Sequence, residues 1–67
     1  MKLSARNQLK GKVTNIKHGP VSTEVTVDVQ GVSVVSSITT GSAESLDLKV
    51  GDDVTTVIKS SSVMIGK

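Results

Sequence analysis

No phenylalanine, tyrosine or tryptophan occurs anywhere in this chain, and that absence limits what it can fold into more than any other feature. Aromatic side chains bury the largest areas and dominate most small cores. Without them the interior must be built from Val, Ile, Leu, Met and Ala. The chain has 67 residues, enough for one domain, residues 1–67. A domain of this size buries only about 60% of the surface that its unfolded chain exposes. Such folds usually need a staple: a disulfide, a metal or a partner. Cysteine is absent, so disulfides are excluded. A structural zinc takes four nitrogen or sulfur ligands, and His18 is the sole histidine. Self-association is the staple that remains, so the sequence predicts an oligomer whose subunit contacts complete the core.

The residues present are those of strands. Val, Thr, Ser and Ile dominate, and β-branched side chains suit a pleated surface. From Val21 to Gln30 the chain alternates, with Val21, Thr23, Val25, Val27 and Val29 on one face and Ser22, Glu24, Thr26, Asp28 and Gln30 on the other. Period two over that length marks a half-buried strand. Gly31 reads as a tight turn, and Val32 to Thr40 as the second arm of a hairpin. Earlier, Leu9, Gly11 and Val13 alternate with Lys10, Lys12 and Thr14 in a first strand that ends near the turn His18-Gly19-Pro20. Gly11 within a strand signals a bulge or a close backbone approach, and the phase slips at Ile16. Gly41 to Leu46 is the one helical segment. Ser42 can cap it, Glu44 suits the first turn and Leu46 is expected to point inward. After a turn at Lys49-Val50-Gly51-Asp52, Val54 to Lys59 reads as a fourth strand. Val63-Met64-Ile65 reads as a fifth, with Ser60-Ser61-Ser62 between them. Three strands, a short helix and two strands predict an all-β, five-stranded, OB-fold-like Greek-key barrel with its helix between strands three and four. SH3-like barrels and lipoyl-like sandwiches have similar strand counts.

Charge is mild in sum, +2, but uneven along the chain. Lys2, Arg6, Lys10, Lys12 and Lys17 all precede Glu24, the first acidic residue. A basic N-terminal strand suggests an anionic partner, or simply a solvated face. The N-terminus has no apolar run of the kind a signal peptide needs. No stretch approaches the roughly 20 apolar residues of a membrane span. The expected location is therefore the cytoplasm.

Two segments are more specific. The opening Leu3-Ser4-Ala5-Arg6-Asn7-Gln8-Leu9-Lys10-Gly11 resembles the S-A-R-N-Q-x-x-G start of the molbindins, the Mop-type or TOBE-family molybdate and tungstate binders. Val57-Ile58-Lys59-Ser60-Ser61-Ser62-Val63 resembles the closing V-x-K-[SA]-x-x-V of that family. Ser37-Ile38-Thr39 and Leu48-Lys49-Val50-Gly51 match weaker steps between them. The resemblance runs along the whole chain. It implies a homo-oligomer, a hexamer built as a trimer of dimers, with oxyanion sites between subunits and no organic cofactor. Carried over residue by residue, it implies a first site made by Ser4, Arg6, the backbone around Ala5, Thr39, Lys59 and Ser60. A second site would involve Lys17, His18 and Gly19, where Pro20 removes one N–H. No residue is expected to coordinate the metal directly.

The chemistry of that set is coherent. Molybdate is a tetrahedral dianion that carries only acceptors at neutral pH. Hydroxyls, backbone N–H groups, ammonium and guanidinium are donors, and no carboxylate is in the set. Arg6 can span two oxygens and Lys59 supplies a compact charge. The main competing reading is a small OB-fold module for nucleic acid or for protein interaction. Single-stranded nucleic acid is bound by basic grooves with aromatic stacking platforms, each worth about 1–3 kcal/mol per base, and here the platforms are missing. An enzyme is disfavoured. There is no cysteine nucleophile, His18 has no evident acid or base partner, and Asp52-Asp53 lies in a turn.

Overall fold

The computed structural model describes all residues from Met1 to Lys67. Strand β1 spans Asn7–Lys17, β2 Ser22–Val29 and β3 Val32–Thr39. The helix α1 spans Thr40–Ser45, β4 spans Asp53–Ile58, and a single 3-10 turn covers Ser60–Ser62. Every pairing is antiparallel, in the order β3-β2-β1-β4. β1 is long enough to serve two partners. Its first half, Asn7–Lys12, pairs with β4, and its second half, Lys12–Lys17, pairs with β2. No helix is long and apolar enough to cross a membrane.

Local chemistry explains the joints. Gln30 and Gly31 both have positive φ, at 50° and 86°, and connect the closing pair Val29↔Val32. Two left-handed central residues suit the twist of a two-residue hairpin. In β1 the register slips between Val13 and Asn15, which leaves Thr14 as the extra residue of a bulge. Its hydroxyl donates to the Thr26 carbonyl at 3.3 Å. The close approach expected at Gly11 is present. A Cβ there would lie 2.5 Å from the Asp28 carbonyl oxygen and 2.7 Å from Val27 Cγ1.

The core is small. Val13, Val25 and Val27 form its centre, with Ile16, Val29, Ile38, Leu48 and Val54 packed around them. Ala43 of α1 is buried as well, and Thr23 is the one buried polar residue. The Thr23 hydroxyl is satisfied by Thr40 Oγ1 at 2.8 Å, and Thr40 Oγ1 in turn donates to the Gly19 carbonyl at 2.7 Å.

Several expectations are corrected. The sheet has four strands, not five. Val63-Met64-Ile65 belongs to no strand, and the 3-10 turn, closed by Ser62 N–H to Lys59 O at 2.8 Å, interrupts the chain after β4. Val21 is exposed. It precedes β2, and its carbonyl accepts from the Thr40 N–H at 2.9 Å. Leu46 is exposed too, and Leu48 packs on the core in its place. The N-cap of α1 is Thr39 rather than Ser42, because the helix begins at Thr40. Thr39 Oγ1 accepts from the Ser42 N–H at 3.1 Å. Glu44 consequently falls outside the first turn.

Gly11→Ala is expected to lower the unfolding free energy by about 1–3 kcal/mol, as overpacking does. Gly41 meets nothing within 4 Å, so Gly41→Ala is expected to be neutral or stabilising by up to about 1 kcal/mol. Urea denaturation at fixed protein concentration checks both. Equal effects would contradict the close approach at Gly11.

Candidate functional site

The β1·β4 ladder gathers the two specific motifs. Its last pair is Asn7↔Ile58. Arg6 immediately precedes that pair on β1, and Lys59 immediately follows it on β4. The opening and closing segments therefore leave the sheet side by side, although they lie at opposite ends of the sequence. Ser4, Arg6, Lys59 and Ser60 are exposed and Ala5 is half-buried. The ion pairs of the chain are Lys12 with Asp53 at 3.0 Å and Lys49 with Asp47 at 3.4 Å. Arg6 and Lys59 are in neither, so both cations are free to meet an external anion. The Ala5 carbonyl accepts from Gln8 Nε2 at 2.7 Å. Gln8 thus braces the turn that presents Ser4 and Arg6. The sequence reading gave Gln8 no role, although it lies inside the opening motif.

Thr39 is not part of this group. It closes β3 opposite Ser22, at the far end of the sheet. There it neighbours the second candidate set, because β1 ends at Lys17 and Gly19 is tied to α1 through Thr40. Its hydroxyl proton is committed to Ser42 Oγ at 2.7 Å. Lys17 stands across from Glu24 in the ladder. His18 and Lys17 are exposed and Gly19 is half-buried. One chain therefore divides the candidate donors into two groups: Ser4, Ala5, Arg6, Lys59 and Ser60 at one end, and Thr39, Lys17, His18 and Gly19 at the other. Sequence reasoning also missed Thr40, whose hydroxyl joins Gly19 to Thr23. A β-branched hydroxyl at a strand-to-helix junction was the available signal.

Two depressions of the surface are lined by other residues than these donors. One depression is lined by Lys10, Lys12, Asp28, Gln30, Asp53 and Thr55, among others. Its carboxylates make it a poor receptor for a dianion. The other is an apolar trough between β3 and β4. The cationic group at the ladder end is open to solvent, so enclosing an anion there requires a second surface. No cluster of His, Cys, Asp or Glu suits direct metal coordination.

Residues 3–65 match the family model of the TOBE domain. This chain belongs to the TOBE domain family. The molbindin resemblance carried by the opening and closing motifs is borne out by its relatives. A probable molybdenum-pterin-binding protein of Haemophilus influenzae is 46% identical over 67 residues, covering 98% of this chain and 97% of that protein. The solved structure of a molybdate-binding protein from Sporomusa ovata superposes with a TM-score of 0.96 at 37% identity, with both chains covered completely. The molybdate-bound form of the cytoplasmic molybdate-binding protein ModG aligns with a TM-score of 0.84 at 42% identity, over 88% of this chain and 43% of that one.

Thr40→Val removes a hydroxyl that serves both Gly19 and the buried Thr23. It is expected to cost about 1–3 kcal/mol, the range for stranding a buried polar group. Thr39→Ala removes the helix cap and is expected to cost about 1 kcal/mol. Calorimetric melting of both variants at one protein concentration checks the order. A milder Thr40 variant would contradict the assigned network.

Proposed function

We propose that this protein binds molybdate and tungstate as free oxyanions at interfaces between its subunits, serves their storage and homeostasis in the cytoplasm, and catalyses no reaction. The observation that supports this reading is that the segments carrying Ser4–Arg6 and Lys59–Ser60 both leave the β1·β4 ladder at its Asn7↔Ile58 end, with neither Arg6 nor Lys59 in an ion pair of the chain. The relatives support the ligand, since the Sporomusa ovata neighbour is described as molybdate-binding and ModG as a cytoplasmic molybdate-binding protein. The proposed assembly is the hexamer, a trimer of dimers, that the resemblance implies. Solvent exposure of the donor group fits a site that a neighbouring subunit closes. Thr39, remote within one chain, would reach the first site only from another copy. A second anion position is proposed at Lys17, His18 and Gly19, where Gly19 can contribute only its N–H.

The Haemophilus influenzae relative is described as binding molybdenum-pterin. The free oxyanion is the better fit here, because this chain has no aromatic side chain on which a pterin ring could stack. The energetics are adequate. Hydrogen bonds to charged groups contribute about 1.5–3 kcal/mol each. Four or five of them, less the cost of dehydrating the anion, leave roughly 8 kcal/mol, which is micromolar affinity.

Isothermal titration is expected to give micromolar or tighter binding of molybdate and tungstate and little heat with sulfate. Arg6→Ala and Lys59→Ala are each expected to weaken binding by about 10- to 100-fold, the equivalent of one charged hydrogen bond, with assembly unchanged. Wild-type affinity in both variants would remove the site. Binding of single-stranded oligonucleotide with steep salt dependence, and no molybdate heat, would replace the oxyanion by nucleic acid.

A further inference from the structure

Gly19 and Val21 flank Pro20, and one residue holds the carbonyls of both. Thr40, the first residue of α1, donates its hydroxyl proton to the Gly19 carbonyl at 2.7 Å. Its backbone N–H donates to the Val21 carbonyl at 2.9 Å. A hydroxyl has a single proton. Thr40 has given its proton to a group that can only accept, so in the 2.8 Å contact with Thr23 it is Thr23 that donates. The order is therefore Thr23 O–H to Thr40 Oγ1, then Thr40 O–H to Gly19 O. Thr23 is fully buried, at 0% exposure, so its proton has no water to turn to. In such a chain each hydrogen bond polarises the next. It starts in the core and ends on the turn after β1.

Other constraints act on the same turn. A Cβ at position 19 would collide with the Ser22 carbonyl oxygen, so the backbone closes there without a side chain. The ring of Pro20 fixes its own φ at about −65° and removes an N–H. What the turn retains for a ligand is one-sided. The Gly19 and Val21 carbonyls are both engaged. The Gly19 N–H lies outside every helix and strand and makes no hydrogen bond within the chain. Beside it stand the exposed side chains of Lys17 and His18. An oxyanion without protons presents only acceptors, so it is attracted by an N–H and repelled by a carbonyl oxygen.

We propose that Thr40 is the positioning residue of the second anion site. It touches no anion itself. Its hydroxyl draws the Gly19 carbonyl toward α1 and holds the Gly19–Pro20 peptide in one orientation, so that the turn meets an anion with donors. Thr23 fixes the direction of the Thr40 proton by occupying its acceptor side. Ordering the turn before the anion arrives removes that cost from binding. The inference rests on the proposed second site at Lys17, His18 and Gly19.

The same hydroxyls stabilise the fold, and a set of variants separates the two roles. Removing one partner of a buried hydrogen bond strands the other, whereas replacing both by apolar groups of the same shape is nearly neutral. Thr40→Val alone strands the buried Thr23. The double variant Thr23→Val with Thr40→Val strands no buried hydroxyl, yet leaves Gly19 untethered. Thr40→Ser keeps the hydroxyl and the tether.

Molybdate is titrated into isotopically labelled wild type, Thr40→Ser and the double variant, and the amide NMR signals of Gly19 and Arg6 are followed. In wild type the Gly19 signal is expected to shift and saturate. In the double variant its midpoint is expected to rise by about 10-fold, the equivalent of one weakened hydrogen bond, while the midpoint at Arg6 stays unchanged. Thr40→Ser is expected to keep the wild-type midpoints at both. A wild-type midpoint at Gly19 in the folded double variant overturns the positioning role and leaves the second site standing. An equal rise at Gly19 and Arg6 is general destabilisation and overturns it as well. A Gly19 signal indifferent to molybdate in wild type removes the second site, and the inference with it.

Discussion

Six residue pairs between β1 and β4, from Asn7↔Ile58 to Lys12↔Asp53, join the two ends of the chain, and the rest of the molecule depends on that ladder. It holds β4 on the sheet, since β4 has no other strand partner. It places Gly11 against β2, where the absence of a side chain lets the backbones of β1 and β2 approach. The turn before β4 is fastened to β1 as well, through Gly51 N–H to Val13 O at 2.8 Å and Val13 N–H to Asp52 O at 2.9 Å. Just beyond its Asn7↔Ile58 end lie Arg6 and Lys59, neither of them in an ion pair of the chain. Fold and candidate site are therefore consequences of one set of backbone hydrogen bonds.

The second constraint is the small interior. Only Val13, Thr23, Val25, Val27 and Ala43 are buried in one chain. Side chains of this size each contribute little, about 0.8 kcal/mol per buried methylene. A large share of the apolar surface, including Val32, Val35, Leu46, Val57 and the C-terminal segment, faces solvent. The proposed association would hide such surface and would also provide a second wall for the exposed donors at the ladder end. In the proposed assembly, completion of the core and enclosure of an anion are the same structural problem.

Much of this was legible in the residues. The alternation from Thr23 to Val29, the turn at Gln30-Gly31 and the glycine at position 11 each follow from backbone sterics and the two-residue period. The failures have equally definite causes. Val21 continues the alternation but sits before the ladder begins, and periodicity cannot say where pairing starts. Leu46 and Leu48 are equally apolar, and only the docking of α1 chooses between them. Val63-Met64-Ile65 has the composition of a strand but no partner within its own chain. For the candidate site, the family resemblance alone grouped Ser4 and Arg6 with Lys59 and Ser60, and no strand register was read from the sequence. It could not reveal that Thr39 lies at the other end of the sheet with its proton engaged by Ser42. Nor could it reveal the support given by Gln8 and Thr40, whose hydrogen bonds depend on three-dimensional proximity.

The most direct test is crystallography of the tungstate complex at the tungsten absorption edge, where each bound ion gives an anomalous peak. The account predicts a peak within hydrogen-bonding distance of Arg6 and Lys59, contacted by residues of two subunits. Peaks confined to other parts of the molecule, or a site closed by one chain alone, would contradict it.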